Sequence, residues 1–212
     1  MRTPVSVLWL AAALLALMGG FAMAVEEAAY KVIETDGPFE IRRYEPCVVA
    51  ETVVESDLED AGNIAFRRLF GYISGKNRRQ EKIAMTAPVS QEPGLKIAMT
   101  APVSQEPAGR GWAVSFMMPA SFTLETLPEP ADSNVRLRPI PARFMAAVRY
   151  SGRWTEASYQ EQKKGLLAWA GKRGLVTTGE PVWARYNPPF TPSFFRRNEV
   201  LQPVADPGPA SP

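Results

Sequence analysis

The 212-residue chain contains no histidine and a single cysteine, Cys47. Histidine is the commonest metal ligand and the commonest general acid or base near neutral pH. Its absence removes Ser-His-Asp and Cys-His catalysis and the usual zinc sites. A lone cysteine cannot form an intrachain disulfide, even in an oxidising compartment. An excess of one charge is missing too: 24 basic side chains stand against 22 acidic ones. That balance gives no general drive towards nucleic acid.

Long apolar runs are absent except at the start, where residues 5–24 follow a basic Met-Arg opening and end in Ala22-Met23-Ala24. A basic n-region, an apolar h-region and a small-x-small ending predict a secretory signal peptide over 1–24. The alternative is an uncleaved anchor, since the run approaches the roughly 20 residues that span a bilayer. The expected location is therefore periplasmic or secreted, with membrane attachment only if 5–24 is retained. The rest of the chain is long enough for one domain with a real core.

The sequence is organised around a duplication. Residues 82–93, Lys-Ile-Ala-Met-Thr-Ala-Pro-Val-Ser-Gln-Glu-Pro, return unchanged at 96–107. Copies this short do not make a solenoid. Ile83, Met85, Ala87 and Val89 alternate with polar or small residues, as do Ile97, Met99, Ala101 and Val103. The period of two predicts a half-buried strand for each copy. Pro88 and Pro102 lack the N–H that a regular ladder needs, so the expected pair is bulged or irregular. Met85 and Met99 serve equally well as core side chains.

Strands are predicted at 30–35, 39–44, 47–54, 112–118, 135–140, 144–150, 181–186 and 199–203, with an extended, proline-containing stretch at 123–130. A helix over 58–74 starts from Ser56-Asp57 as N-cap and stops at Gly75; residues 76–80 read as a basic loop. Its apolar face carries Ala61, Ile64, Ala65, Leu69, Tyr72 and Ile73, widened by Phe66 and Phe70. Arg67 and Arg68 on this helix suit either a solvated face or a clamp for a ligand carboxylate. A second helix starts at Thr155 and closes at Gly174, with Lys172 and Arg173 at its C-terminal dipole. Residues 205–212 read as a disordered tail. Two helices among many strands predict an α+β domain with a curved antiparallel sheet, and the element order allows an internal pseudo-repeat.

Several strings occur together and in order. They are Tyr-Lys-Val-Ile-Glu-Thr at 30–35, Phe-Glu-Ile-Arg-Arg-Tyr at 39–44 and the doubled Met-Thr-Ala-Pro-Val. Tyr-Ser-Gly-Arg-Trp follows at 150–154, then Ala-Arg-Tyr-Asn-Pro-Pro-Phe-Thr-Pro at 184–192 and Arg-Arg-Asn-Glu-Val at 196–200. Over about residues 30–204 the chain resembles the SOUL/haem-binding protein family. The resemblance implies a distorted eight-stranded antiparallel β-barrel with two packed helices, like bacterial effector-binding domains. It also implies binding of haem or another tetrapyrrole against an apolar helix face, with basic groups near the propionates. A histidine axial ligand, used by some members, is impossible here.

On that basis the ring is expected against Phe66, Leu69, Phe70, Ile73, Met85 and Met99, with Arg67 or Lys76 pairing to propionates. The expected role is a non-enzymatic carrier or buffer. A binding module for another apolar small molecule is the alternative, and an enzyme acting on tetrapyrroles is the third reading.

Overall fold

The computed structural model describes residues 25–78, 95–188 and 190–208. The signal-peptide reading, the first copy of the duplication with Met85, and the end of the tail lie outside the described residues.

The described residues open with a short strand β1 (Glu26–Glu27), then β2 (Tyr30–Asp36), β3 (Phe39–Tyr44) and β4 (Cys47–Val54). Helix α1 (Leu58–Ile73) follows. Asp57 caps it by accepting from the Asp60 N–H, and Glu59 and Asp60 complement the helix dipole. Gly75 adopts φ 107° just past its end, a conformation that favours glycine. Next come β5 (Asn77–Arg78), β6 (Thr100–Ala101), β7 (Val103–Ala108), β8 (Gly111–Met117), β9 (Glu129–Pro130), β10 (Arg136–Ile140) and β11 (Arg143–Tyr150). Helix α2 (Glu156–Lys172), capped by Thr155, leads to β12 (Val182–Arg185) and β13 (Asn198–Val204).

Nine strands form one antiparallel sheet in the order β10-β4-β8-β7-β12-β13-β11-β3-β2, curled into a half-barrel. The count is nine rather than eight. The order carries an internal repeat: β3-β4-α1-β7-β8 and β10-β11-α2-β12-β13 exchange places when the sheet is read backwards from β3. The pseudo-dyad therefore runs between β7 and β12, and each unit lends its first strand to the other's edge. Helix α1 packs on β4 and β8, and α2 on the equivalent β11 and β13.

Alternation along the strands builds three apolar clusters. Ala50, Val54, Val114 and Phe116 meet Ala61, Ala65, Leu69 and Ile73 of α1 on the outer face. Ala146, Val148, Trp183 and Val200 meet Tyr159 and Leu166 of α2. On the inner face, Tyr44, Met145, Ala147, Val182, Ala184 and Leu201 fill the curl.

The second copy of the duplication departs from a simple strand. Residues 95–99 are irregular, and pairing begins only at Thr100, with a cis peptide before Pro102. Ile97 enters the core under α1, whereas Met99 points to solvent and Thr100 is buried, donating to the Met117 carbonyl. Residues 77–78 are likewise not a loop but pair with β9, and most of 123–128 is turn rather than extended chain.

At the start of β8 the chain runs close against the end of β4. A Cβ on Gly111 would lie 2.1 Å from the Val54 carbonyl oxygen. Backbone cannot move aside as a flexible side chain can. Gly111→Ala is expected to destabilise the fold by about 1–3 kcal/mol or more, read as a lower midpoint in thermal unfolding.

Candidate functional site

A helical stripe recurs every four residues, because such positions stack on one face. On α1 one such stripe is Gly62, Phe66 and Phe70. Gly62 lies against the guanidinium of Arg185, where an added Cβ would fall 2.6 Å from Nη2. The stripe therefore looks across the pseudo-dyad to β12. Phe66 stacks on Phe70 at 5.7 Å and meets the edge of Phe116 at 5.5 Å, while Phe70 stays 46% exposed.

Arg185 lies at the Gly62 end of this stripe. It shares the outer face of β12 with Trp183 and opens over the stripe. Its Nη2 donates to Gln105 Oε1 at 3.0 Å, and Gln105 in turn donates to the Leu58 carbonyl at 2.7 Å. Its guanidinium sits 5.0 Å from the Trp183 ring centroid and 5.3 Å from that of Trp154. Among the described residues no carboxylate forms an ion pair with it. Burial pushes its pKa down to about 10, so it is still a cation at neutral pH. Beneath it, the Trp183 indole N–H and the Tyr150 hydroxyl are buried and lie close to each other, without a well-formed hydrogen bond between them. The Tyr150 hydroxyl is pushed up to about 12, chiefly by burial, and stays a neutral donor. The Arg185 cation is thus buried with a neutral hydrogen-bond partner but no counter-charge, an arrangement that costs free energy unless an anion joins it.

Beside Trp154 a hollow of about 640 Å³ opens, lined by Arg153, Trp154, Thr155, Phe190 and Arg196 among others. Arg196 stacks over Trp154 at 4.2 Å and donates to the Thr191 carbonyl at 2.8 Å. Cations and aromatic faces share this wall with no acidic side chain in the lining.

A second cavity, about 700 Å³ and mainly apolar, lies inside the curl. Met117, Phe122, Ile140 and Leu201 line it, and Glu26, Glu27, Glu45 and Glu125 stand around it against Arg143. Cys47 also lines this cavity, half-buried, and burial raises its thiol above the usual range, which keeps it protonated.

The side chains expected from sequence separate into groups. Phe66 and Phe70 lie on the groove stripe. Leu69 and Ile73 are buried in the core beneath α1 and leave no surface for a ligand. Arg67 is exposed, and Lys76 packs its stem near Gly71. Met99 is 39% exposed. Met85 lies outside the described residues. Sequence reasoning missed Arg185, Trp154 and Tyr150. One signal was available: Trp183 and Arg185, two apart on a strand, share a face, so a cation falls on the buried side of an otherwise apolar strand. Among the described residues no group of three or more acidic or cysteine side chains could hold a metal ion.

Comparison with known proteins agrees with this architecture. Human heme-binding protein 2 is 32% identical over 187 residues, covering 84% of this chain and 86% of that one. The mouse protein of the same name is 30% identical over 168 residues, covering 77% of each. Among solved structures, the C-terminal domain of EcmrR aligns with a TM-score of 0.57 at 12% identity, over 84% of this chain and 98% of that one. A structure described as a hydrolase from Listeria innocua aligns at 0.53 and 14% identity, over 82% and 94%. Those two likenesses concern the fold alone. The family model described as SOUL heme-binding protein matches residues 25–203, and the chain belongs to that family.

Proposed function

We propose that the protein binds haem or a related tetrapyrrole in the groove between α1 and the 186–197 loop, as a carrier or buffer outside the cytoplasm. The observation that carries this reading is Arg185, a desolvated cation that bonds Gln105 and has no carboxylate partner among the described residues. A propionate supplies the missing counter-charge, and Arg153 and Arg196 give the second propionate a partner. The exposed Phe70 and its neighbour Phe66 suit a flat apolar ring, whose burial at about 25 cal/mol per Å² is the main source of affinity. The inner cavity suits a dianionic ring less well, because four carboxylates surround it. The family name and the relatives called heme-binding protein 2 support the same ligand class.

Bound haem would bring an iron centre, but the lining of the hollow offers it no thiol, thioether, phenol or imidazole. The ring is held by its faces and its propionates. Haemin and iron-free protoporphyrin are therefore expected to titrate with affinities within about threefold of each other, roughly 0.7 kcal/mol. Absorbance titration of both rings checks this. A haemin affinity more than about a hundredfold tighter would mean that a protein ligand meets the iron and that this mode is wrong.

The inner cavity favours a second reading, a receptor for another apolar small molecule. Binding of such a molecule with no effect on the haemin titration would separate the two sites.

A further inference from the structure

The loop joining β12 to β13 displays three phenylalanines to solvent. Phe190 is 85% exposed, Phe194 69% and Phe195 73%. The display is built, not slack. The Thr191 N–H donates to the Pro188 carbonyl, Phe195 N–H to Pro192, and Arg197 N–H to Asn187 Oδ1 at 2.6 Å. The Gly152 N–H donates to the Ser193 carbonyl, which clamps the loop to the segment carrying Arg153. Phe194 and Phe195 lie with ring centroids 4.5 Å apart. An ordered loop that holds three large apolar rings in water is unusual for a surface with nothing to meet.

The side chains beside the rings are mainly basic, with Arg197 paired to Glu199 and Glu27 behind them. Residues 186–198 contain no aspartate or glutamate and two arginines, and Arg153 and Arg196 line the hollow next to Phe190. Two copies meeting through this tip about a twofold axis would bring like charges together. A surface that is negative outside and apolar within matches both features at once. An anionic bilayer has that structure, with phosphates over hydrocarbon.

We propose that this loop docks the protein on an anionic lipid bilayer. Phe194 and Phe195 enter the boundary between headgroups and acyl chains, and Arg153 and Arg196 pair with lipid phosphates. This attachment is separate from any contributed by residues 5–24. It shares Arg153 and Arg196 with the proposed propionate site, whereas Phe194 and Phe195 do not line the hollow and belong to the lipid contact alone.

Hydrogen exchange of the full chain, with and without vesicles, reads the loop itself whatever the N-terminal segment does. Vesicles of phosphatidylglycerol and phosphatidylcholine are expected to slow exchange at residues 190–196; vesicles of phosphatidylcholine alone are expected to do so weakly. Phe194→Ser with Phe195→Ser is expected to cancel that protection and weaken the loop-dependent binding by about tenfold or more. The haemin titration of this variant should be unchanged. Vesicle binding without protection of the loop overturns the proposal. So does protection that grows with protein concentration in the absence of vesicles, which would make a second copy the partner.

Discussion

Glu199→Gln lowers the stability of the domain by about 3–5 kcal/mol, the usual consequence of removing one partner from a buried ion pair. Glu199 is completely buried inside the curl of the sheet. Its Oε2 accepts from Arg42 Nη1 at 2.7 Å and from the Tyr186 hydroxyl at 2.8 Å. Its Oε1 accepts from Arg42 Nη2 at 3.3 Å and from Arg197 Nε at 3.1 Å. Burial alone would lower the pKa of Arg42; its bonds to Glu199 outweigh that and raise it, so the cation is permanent. Glutamine would leave the buried Arg42 with only Glu40 and the half-buried Arg197 with only the more exposed Glu27 as ionic partners. The network also fastens distant strands together. Arg42 on β3 lies over Tyr30 of β2, and Arg197 next to β13 reaches Glu27 of β1. Since small domains are stable by only about 5–15 kcal/mol, the loss is a large share of the total. Urea unfolding at constant m-value checks it. A change below about 1 kcal/mol would mean that the cluster is a surface-like pair of little consequence.

Arg185→Gln has the opposite character. It is expected to weaken tetrapyrrole binding by about 10- to 100-fold, the range for losing a charge-assisted bond to a carboxylate. Stability should change little. Glutamine can still bond Gln105, and losing the two contacts with Trp154 and Trp183 is offset by no longer burying a cation without a counter-charge. A groove kept at some cost for its ligand behaves this way. The check is a haemin titration beside an unfolding curve. A fall in both together would make Arg185 a structural residue.

The framework was readable where local rules and tertiary demands agree. β3 and β4 have the predicted bounds because alternation there sets one face against a helix and the other into the curl. Helix α1 ends within one residue of expectation, since Asp57 and Gly75 punctuate it. The repeat 96–107 misled for a physical reason. Its apolar residues serve different surroundings: Ile97 packs under α1, Pro102 borders the inner cavity, and Met99 is left outside. Alternation predicts one buried face and cannot describe three environments. The 58–74 helix likewise did not reveal which apolar side chains were needed for the core. Leu69 and Ile73 were, whereas Phe66 and Phe70 remain on the groove. The other wall, Tyr150, Trp154 and Arg185, reaches α1 only through the sheet order across the pseudo-dyad. Its strings were visible in the sequence, but nothing local joins residues 62 and 185.

The most direct test of the groove assignment is two-dimensional NMR of the protein titrated with iron-free protoporphyrin, whose ring current shifts nearby resonances. The largest shifts are expected at Phe66, Phe70, Trp154, Thr155 and the Arg185 side chain. Met117, Phe122 and Ile140 of the inner cavity should stay in place. Large shifts at those three, with a silent groove, would contradict the account and put the ring inside the curl.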